Sequence, residues 1–250
     1  KGNELGAYYV GMGDYCDAFS PSNRVRLKGA AMYDTAEEVI EDAALEVTQE
    51  LYNTILKPTK GRWLGLLSGH HFAELKTGET TDMRLCQMLD AKFLGTSAAI
   101  RLLFTFGQTR ANVVLWAHHG IGAGGKSASP LNKLENLAPY WGGIDVFLMG
   151  HSTKSPAVPI NRIEPRWHGK GAPDLVHKKV LLVSTGGFSR AYIQGAKQGN
   201  VPRGDYAEQR MLNPSVLGAP IIRIVPKFKY PYLSADRQTK LWDPEITVEI

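Results

Sequence analysis

Cysteine is scarce in this chain, and the two that it has, Cys16 and Cys86, do not form a Cys-x-x-Cys pair. This usage argues against a disulfide framework and against a zinc site built from cysteine, and it favours a reducing compartment such as the cytoplasm. The sequence also lacks a secretory signal and an apolar run long enough to cross a membrane. We therefore expect neither a disulfide-bonded secreted protein nor a membrane protein.

Internal repeats and low-complexity linkers are also missing, and 250 residues with 43% hydrophobic content are enough to bury a core. We therefore expect residues 1–250 to form a single domain. The first predicted strand begins only a few residues after Lys1, so we expect a further N-terminal strand upstream of this sequence. The formal charge of +5 favours anionic partners such as phosphate esters or nucleic acid.

Strands and helices alternate through the first 150 residues. The predicted strands are AYYVGM, RWLGLLS, AAIRLLFTF, NVVLWA and VFLMG. A long helix is predicted from an Asp34 N-cap to Pro58, and a second one over residues 80–93, whereas the segment around Pro21 is predicted to be a polar loop. After about residue 156 the pattern predicts strands, including KKVLLVST, PIIRIVPKF and EITVEI. This order indicates an α/β fold.

Residues 116–130, WAHHGIGAGGKSASP, have two incompatible interpretations. The phosphate-binding pattern G-x-x-x-x-G-K-[ST] is matched by Gly120, Gly125, Lys126 and Ser127. That pattern needs a helix beginning near the lysine, and Pro130 should disturb the first turns of such a helix. No later apolar run ends in the aspartate that would hold magnesium. The context therefore favours the second interpretation, a metal site that includes His118 or His119.

Five of the seven histidines follow directly after predicted strands, in the segments LLSGHH, LWAHH and LMGH. These histidines are His70, His71, His118, His119 and His151. The segment VGMGDYCD places Asp14 and Asp17 at the end of the first strand. Each histidine alone would be interpreted as a hydrogen-bonded loop residue, but strand ends at one edge of an α/β sheet converge on a crevice. Imidazole and carboxylate are ligands of zinc, manganese and iron, so the clustering favours a metal site.

Four short motifs, in this order, resemble those of the calcineurin-like metallophosphoesterases: GDYCD, GHH, HHG and GHST. The flanking segments LNKLENLA and STGGFSRAY are similar to the phage-type and bacterial branch of that superfamily, so the resemblance covers nearly the whole chain. It implies two facing mixed β-sheets flanked by helices, in a four-layer α/β/β/α sandwich. It also implies one or two divalent ions (manganese, iron or zinc) and hydrolysis of phosphomonoesters or phosphodiesters, including DNA or RNA, in a bacterial cytoplasm.

The resemblance assigns metal ligands position by position. Asp14 matches the carboxylate that bridges two ions. His70 stands at a metal-binding position, and His151 matches the first histidine of the family's GHxH motif. The family's single-histidine motif is matched by His118 or His119, and the sequence leaves both open.

The resemblance also assigns groups that act on the substrate. His71 matches the histidine that protonates the leaving oxygen or steadies the transition state, and Asp17 can orient it through a hydrogen bond. The basic residues of the predicted loop can meet an anionic substrate, or they can be solvated surface charge. They are Arg24, Arg26 and Lys28.

Three departures from the family pattern leave two hypotheses about function. The opening Asp-x-His motif has no counterpart, His70 replaces an asparagine, and Thr153 replaces the second histidine of GHxH. A hydroxyl is a poor ligand for these ions. The first hypothesis is a phosphoesterase with a variant metal site. The second is a degenerate member that binds nucleic acid or a protein without turnover.

Overall fold

A computed structural model describes residues 1–30, 32–122, 125–167, 171–198, 200–229 and 241–250. Its α-helices are α1 (Pro21–Gly29), α2 (Asp34–Leu51), α3 (Thr81–Leu89), α4 (Ser129–Leu137) and α5 (Tyr206–Gln209). Its strands are β1 (Tyr9–Gly11), β2 (Trp63–Leu66), β3 (Ser97–Phe106), β4 (Thr109–His118), β5 (Val146–Met149), β6 (Ala157–Arg166), β7 (Asp174–Ser184), β8 (Lys197–Gln198), β9 (Val201–Pro202), β10 (Ile221–Val225), β11 (Phe228–Lys229), β12 (Leu241–Trp242) and β13 (Glu245–Glu249). The protein is therefore mixed α/β, as predicted.

The chain divides into two compact units. The first unit comprises Lys1–Ala98 and Ala117–Gly120, and the second comprises Ala99–Trp116 and Ile121–Ile250. None of the described helices is both long enough and apolar enough to cross a membrane. The expectation of one domain over residues 1–250 stays a prediction.

In the first unit, β1 and β2 pair in parallel, with Gly11 opposite Leu66. Their core is a buried cluster contributed by β2 and α3, and it consists of Leu66, Leu85, Cys86 and Leu89. Full burial of each leucine contributes roughly 2 kcal/mol. Because the two strands end side by side, the loops that follow them, GDYCD and SGHH, start from neighbouring positions.

The predicted polar loop around Pro21 is wrong, because these residues form α1. The Ser20 hydroxyl caps the helix by accepting a hydrogen bond from the Asn23 backbone N–H at 3.2 Å. Pro21 fits the first helical position, where its missing N–H costs nothing. The predicted long helix is confirmed as α2, although its N-cap is Tyr33 and a π turn and a 3-10 turn replace its last predicted residues.

The second unit contains most of a five-stranded mixed sheet in the order β3-β4-β5-β7-β6. β5 runs parallel to β7, and β6 runs antiparallel to β7. The core of this unit includes Trp116, Phe147 and Leu182. β6 was not predicted as a distinct strand, because Pro159 and Pro165 interrupt its pattern of strand-forming residues. An edge strand tolerates proline, since one side of it carries no ladder hydrogen bonds.

The segment after Lys126 differs from its prediction, because α4 begins at Ser129 and holds Pro130 in its first turn. Proline suits that turn because its fixed φ is helical. Pro130 therefore does not disturb the first turn of this helix, and the prediction that it would was wrong. Residues 123–124 of the glycine pattern lie outside the described residues, and the absence of a magnesium-binding aspartate remains the argument against a nucleotide loop.

Candidate metal centre

Two glycines let the loops after β1 and β2 touch. Gly13 has φ +93°, and a Cβ atom built on it would lie 2.4 Å from His119 Nδ1. A Cβ atom on Gly69 would lie 2.1 Å from the backbone nitrogen of Asp14. Both distances are far below van der Waals contact, so only glycine fits at either position. This close approach brings Asp14, itself at φ +53°, against the loop that carries the histidines.

The two carboxylate oxygens of Asp14 have different partners. Oδ1 accepts hydrogen bonds from the backbone N–H groups of His70 at 2.7 Å and His71 at 3.1 Å. Oδ2 faces two imidazoles, at 2.8 Å from His70 Nδ1 and 3.3 Å from His119 Nε2. One oxygen is therefore fixed by the main chain, and the other is directed toward the histidines.

The His119 ring is fixed by a hydrogen bond of Nδ1, whereas Nε2 is the nitrogen near Asp14. The side chain is buried, and Nδ1 lies 2.6 Å from the carbonyl oxygen of Met12. A carbonyl only accepts, so Nδ1 carries a proton and donates it. In the neutral ring Nε2 then has the lone pair, whereas in the protonated ring Nε2 donates to the Asp14 carboxylate. Carbonyl partners of this kind are typical of metal-binding histidines, because they fix the ring and its tautomer.

Three potential ligand atoms converge within this first unit: Asp14 Oδ2, His70 Nδ1 and His119 Nε2. The two nitrogens are 2.9 Å apart, and each lies 2.8–3.3 Å from the carboxylate oxygen. Atoms bonded to one ion at about 2.1 Å lie about 3.0 Å apart at right angles and about 3.4 Å apart in a tetrahedron. The spacing therefore fits one divalent ion, whose identity the donor set does not determine. We call these three residues the metal centre.

His118 has a different environment from its neighbour. Its Nδ1 accepts a hydrogen bond from the Gly120 backbone N–H at 2.7 Å, which shapes the turn after β4. Burial, together with the charge of His119, lowers the pKa of His118. Of the two histidines that the sequence left open, it is His119 that the structure places with Asp14 and His70.

The charges of the centre favour a bound cation. Burial raises the pKa of Asp14, but the hydrogen bond with His119, the His70 backbone N–H and the two imidazoles outweigh it, so that pKa lies far below its usual range. Burial lowers the pKa of His119, but its hydrogen bonds with Asp14 and the Met12 carbonyl raise it more. Asp14 is thus ionised at neutral pH, and protons compete with a metal ion for the imidazole.

Asp82, on α3, supports the centre and was missed by sequence reasoning. Its carboxylate is 3% exposed and accepts a hydrogen bond from the Gly69 backbone N–H at 2.8 Å. Burial raises the pKa of Asp82 to about 6, the Gly69 hydrogen bond lowers it, and the charge of Asp14 raises it further. In the sequence, an acidic residue in the first turn of a helix has an ordinary explanation in the helix dipole, so nothing marked it.

His71 and Asp17 form a hydrogen bond between the His71 Nδ1 and the Asp17 carboxylate, as the sequence led us to expect. The carbonyl oxygen of His71 accepts from the backbone N–H groups of Ala18 and Phe19, both at 3.1 Å. The two rings of His70 and His71 meet edge to face, with centroids 4.1 Å apart. A partly exposed imidazole with an oriented ring therefore lies next to the metal centre.

Arg24 holds the loop that carries the two histidines. Its Nη1 donates to three backbone carbonyl oxygens, at 2.8, 2.8 and 3.1 Å, which belong to Phe19, His70 and Phe72. Its guanidinium carbon lies 4.0 Å from the centre of the Phe72 ring. The side chain is only 15% exposed, so Arg24 is a structural part of this loop.

The other two basic residues of α1 lie on its exposed surface. Lys28 pairs with Glu74 at 2.5 Å. Substrate binding by Arg24, Arg26 and Lys28 stays a prediction.

His151 belongs to the second unit, where it follows β5 with a φ of +61°. A positive φ is uncommon for histidine and is often found at functional sites. Its role as a metal ligand stays a prediction. Thr153, which replaces the family's second histidine, shares a hydrogen bond with the Ser215 hydroxyl at 2.7 Å.

Comparisons with protein-family models, curated proteins and solved structures find no match to this chain. The metallophosphoesterase resemblance therefore rests only on the short motifs and the flanking segments LNKLENLA and STGGFSRAY. The geometry of the metal centre is an independent observation, because it follows from distances within the first unit.

Proposed function

We propose that this protein is a metal-dependent phosphoesterase whose first unit holds a divalent cation. The convergence of one carboxylate oxygen and two imidazole nitrogens carries the proposal. The motifs that resemble metallophosphoesterases select phosphoester hydrolysis among the reactions that such a centre can support. The implied cytoplasmic location and the four-layer sandwich belong to the same proposal, and an experimental structure would test the latter.

The residues of the centre have separate tasks. Asp14, His70 and His119 hold the cation. When bound, a divalent cation activates water as a nucleophile and neutralises charge on the phosphoryl oxygens. The backbone N–H groups that bind Asp14 Oδ1 keep the carboxylate from rotating, so its other oxygen stays directed at the cation.

In this proposal, His71 acts as the general acid. Asp17 accepts a hydrogen bond from His71 Nδ1, which leaves Nε2 to give a proton to the leaving oxygen. The hydrogen bond to Asp17 keeps the ring oriented for that transfer. The exposed position of the pair suits contact with a substrate arriving from solvent.

The charge of the second unit supports an anionic substrate. The first unit has 10 lysines and arginines against 14 aspartates and glutamates, a formal charge of −4. The second unit has 19 lysines and arginines against 10 aspartates and glutamates, a formal charge of +9. A positive net charge of this size favours anionic ligands such as phosphate esters.

A second candidate function is a binding module that retains one cation without turnover. The observation in its favour is Thr153, whose hydroxyl bonds to Ser215 where the family pattern has a ligating histidine. This module would bind Mn²⁺ and nucleic acid but would not hydrolyse esters.

The test is hydrolysis of bis-p-nitrophenyl phosphate and p-nitrophenyl phosphate with added Mn²⁺, alongside calorimetric titration with Mn²⁺. Wild-type turnover that requires Mn²⁺ and is lost in Asp14→Ala supports the phosphoesterase. The preferred ester then separates diesterase from monoesterase activity. Mn²⁺ binding without turnover supports the binding module, and absence of Mn²⁺ binding by a folded chain contradicts both.

A further inference from the structure

Helix α2 presents two parallel rows of side chains to solvent. The first, the apolar row, repeats every four residues and consists of Val39, Ala43 and Val47. The second, the acidic row, repeats in the same way and consists of Asp42, Glu46 and Glu50. Val39 is 64% exposed and Val47 is 51% exposed, although valine usually lies inside a protein.

The two rows lie side by side on the helix. Residues four apart stack along one side of an α-helix, and residues three apart are neighbours, so each apolar residue borders the acidic residue three positions later. The rows together run for about three turns, or roughly 17 Å. The opposite side of α2 packs inward through Ala44 and Thr48, which are buried.

The acidic row is not paired with basic side chains among the residues that the structure describes. Within the described residues, none of its three carboxylates makes an ion pair or a hydrogen bond. Elsewhere on α2, Lys76 pairs with Glu38 at 3.3 Å, and its backbone N–H binds Glu41 at 3.1 Å. Helix α2 has seven acidic residues and no basic one, in a chain of net charge +5. Like charges four residues apart destabilise a helix, so this row costs the isolated protein stability.

We propose that the apolar and acidic rows form a docking surface for a basic amphipathic helix of a partner protein. Apolar side chains at four-residue intervals on the partner would cover the apolar row, and lysines or arginines beside them would pair with the acidic row. A second copy of this chain would bring two acidic rows together, and an anionic membrane would also be repelled. A basic partner fits both the shape and the charge of this face.

The test uses a fluorescein-labelled amphipathic peptide of leucine and lysine, about 15 residues long, and measures its binding by fluorescence anisotropy. The variants are Asp42→Asn with Glu46→Gln, which neutralises the acidic row, and Val39→Gln with Val47→Gln, which removes the apolar row. The matched control, Glu37→Gln with Glu135→Gln, removes two exposed charges from outside the rows. All substituted positions are exposed, and circular dichroism confirms that each variant folds.

Each row variant should weaken peptide binding at least about tenfold, and the control should change it by less than about twofold. A peptide with glutamate in place of lysine should not bind to the wild type. Equal affinity in all variants would overturn the proposal. So would a wild-type dimer in sedimentation velocity that Val39→Gln with Val47→Gln dissociates, because the face would then bind a second copy.

Discussion

Arg24 donates a hydrogen bond to the carbonyl oxygen of His70 at 2.8 Å, so a residue of α1 fixes the backbone of a metal-centre residue. Replacing Arg24 by methionine should lower the free energy of unfolding by about 3 kcal/mol, because three partly buried carbonyls lose a charged donor. The affinity for Mn²⁺ should also fall. Urea unfolding and calorimetric titration measure the two effects.

Arg24→Lys is the matched control, because it keeps the charge but loses the planar fork and the contact with the Phe72 ring. It should recover only part of the stability and of the Mn²⁺ affinity. If Arg24 acted through substrate alone, Arg24→Met would raise KM and leave both stability and Mn²⁺ affinity unchanged.

Gly69→Ala should disrupt the contact between the two loops. Its Cβ would overlap the Asp14 backbone, so the loops would have to separate at a cost of about 3 kcal/mol or more. Thermal unfolding and Mn²⁺ titration should both show the loss. Gly29→Ala is the control in the same unit, because a Cβ there meets no atom within 4 Å. Equal effects of the two substitutions would contradict the proposed packing.

The two adjacent histidines should differ as metal ligands. His119→Ala should weaken Mn²⁺ binding more than about tenfold, since it removes a ligand, whereas His118→Ala should change it little. Calorimetric titration of both variants decides the assignment. If His118→Ala weakened Mn²⁺ binding more than His119→Ala, the assignment would be wrong. The same titration on His151→Ala tests the sequence-based prediction for that residue: an unchanged affinity would remove it from the ligand set.

Asp82 should make stability depend on pH in a defined direction. Its folded pKa of about 6 lies above the ordinary value of 3.8, so the fold favours the protonated form and loses stability as pH rises through 6. The Asp82→Asn side chain keeps an oxygen that can accept the hydrogen bond from the Gly69 backbone N–H. This side chain cannot ionise. The stability of this variant relative to wild type should therefore rise by about 3 kcal/mol from about pH 4 to pH 7.

Urea unfolding of both proteins across this pH range measures the difference. The Asp82 charge also raises the pKa of His119, so the difference between the two proteins includes a smaller contribution from that ring. A difference that stays constant with pH would show that the Asp82 carboxyl has an ordinary pKa in the folded protein.

The strand ends and the residues of the metal centre were predictable, because apolar runs that end in Gly-Asp or Gly-His mark local structure. The choice between His118 and His119 was not, since it depends on the Met12 carbonyl, more than 100 residues away in the chain. The role of Asp82 depends on the fold in the same way. Helix α1 was missed because its cap, Ser20 with Pro21, also resembles a turn.

Anomalous diffraction from crystals grown with Mn²⁺ shows whether Asp14, His70 and His119 bind one divalent ion. A manganese peak should lie within about 2.3 Å of Asp14 Oδ2, His70 Nδ1 and His119 Nε2. A fully ordered centre with no peak among these three atoms, at millimolar Mn²⁺, would show that they do not hold the ion.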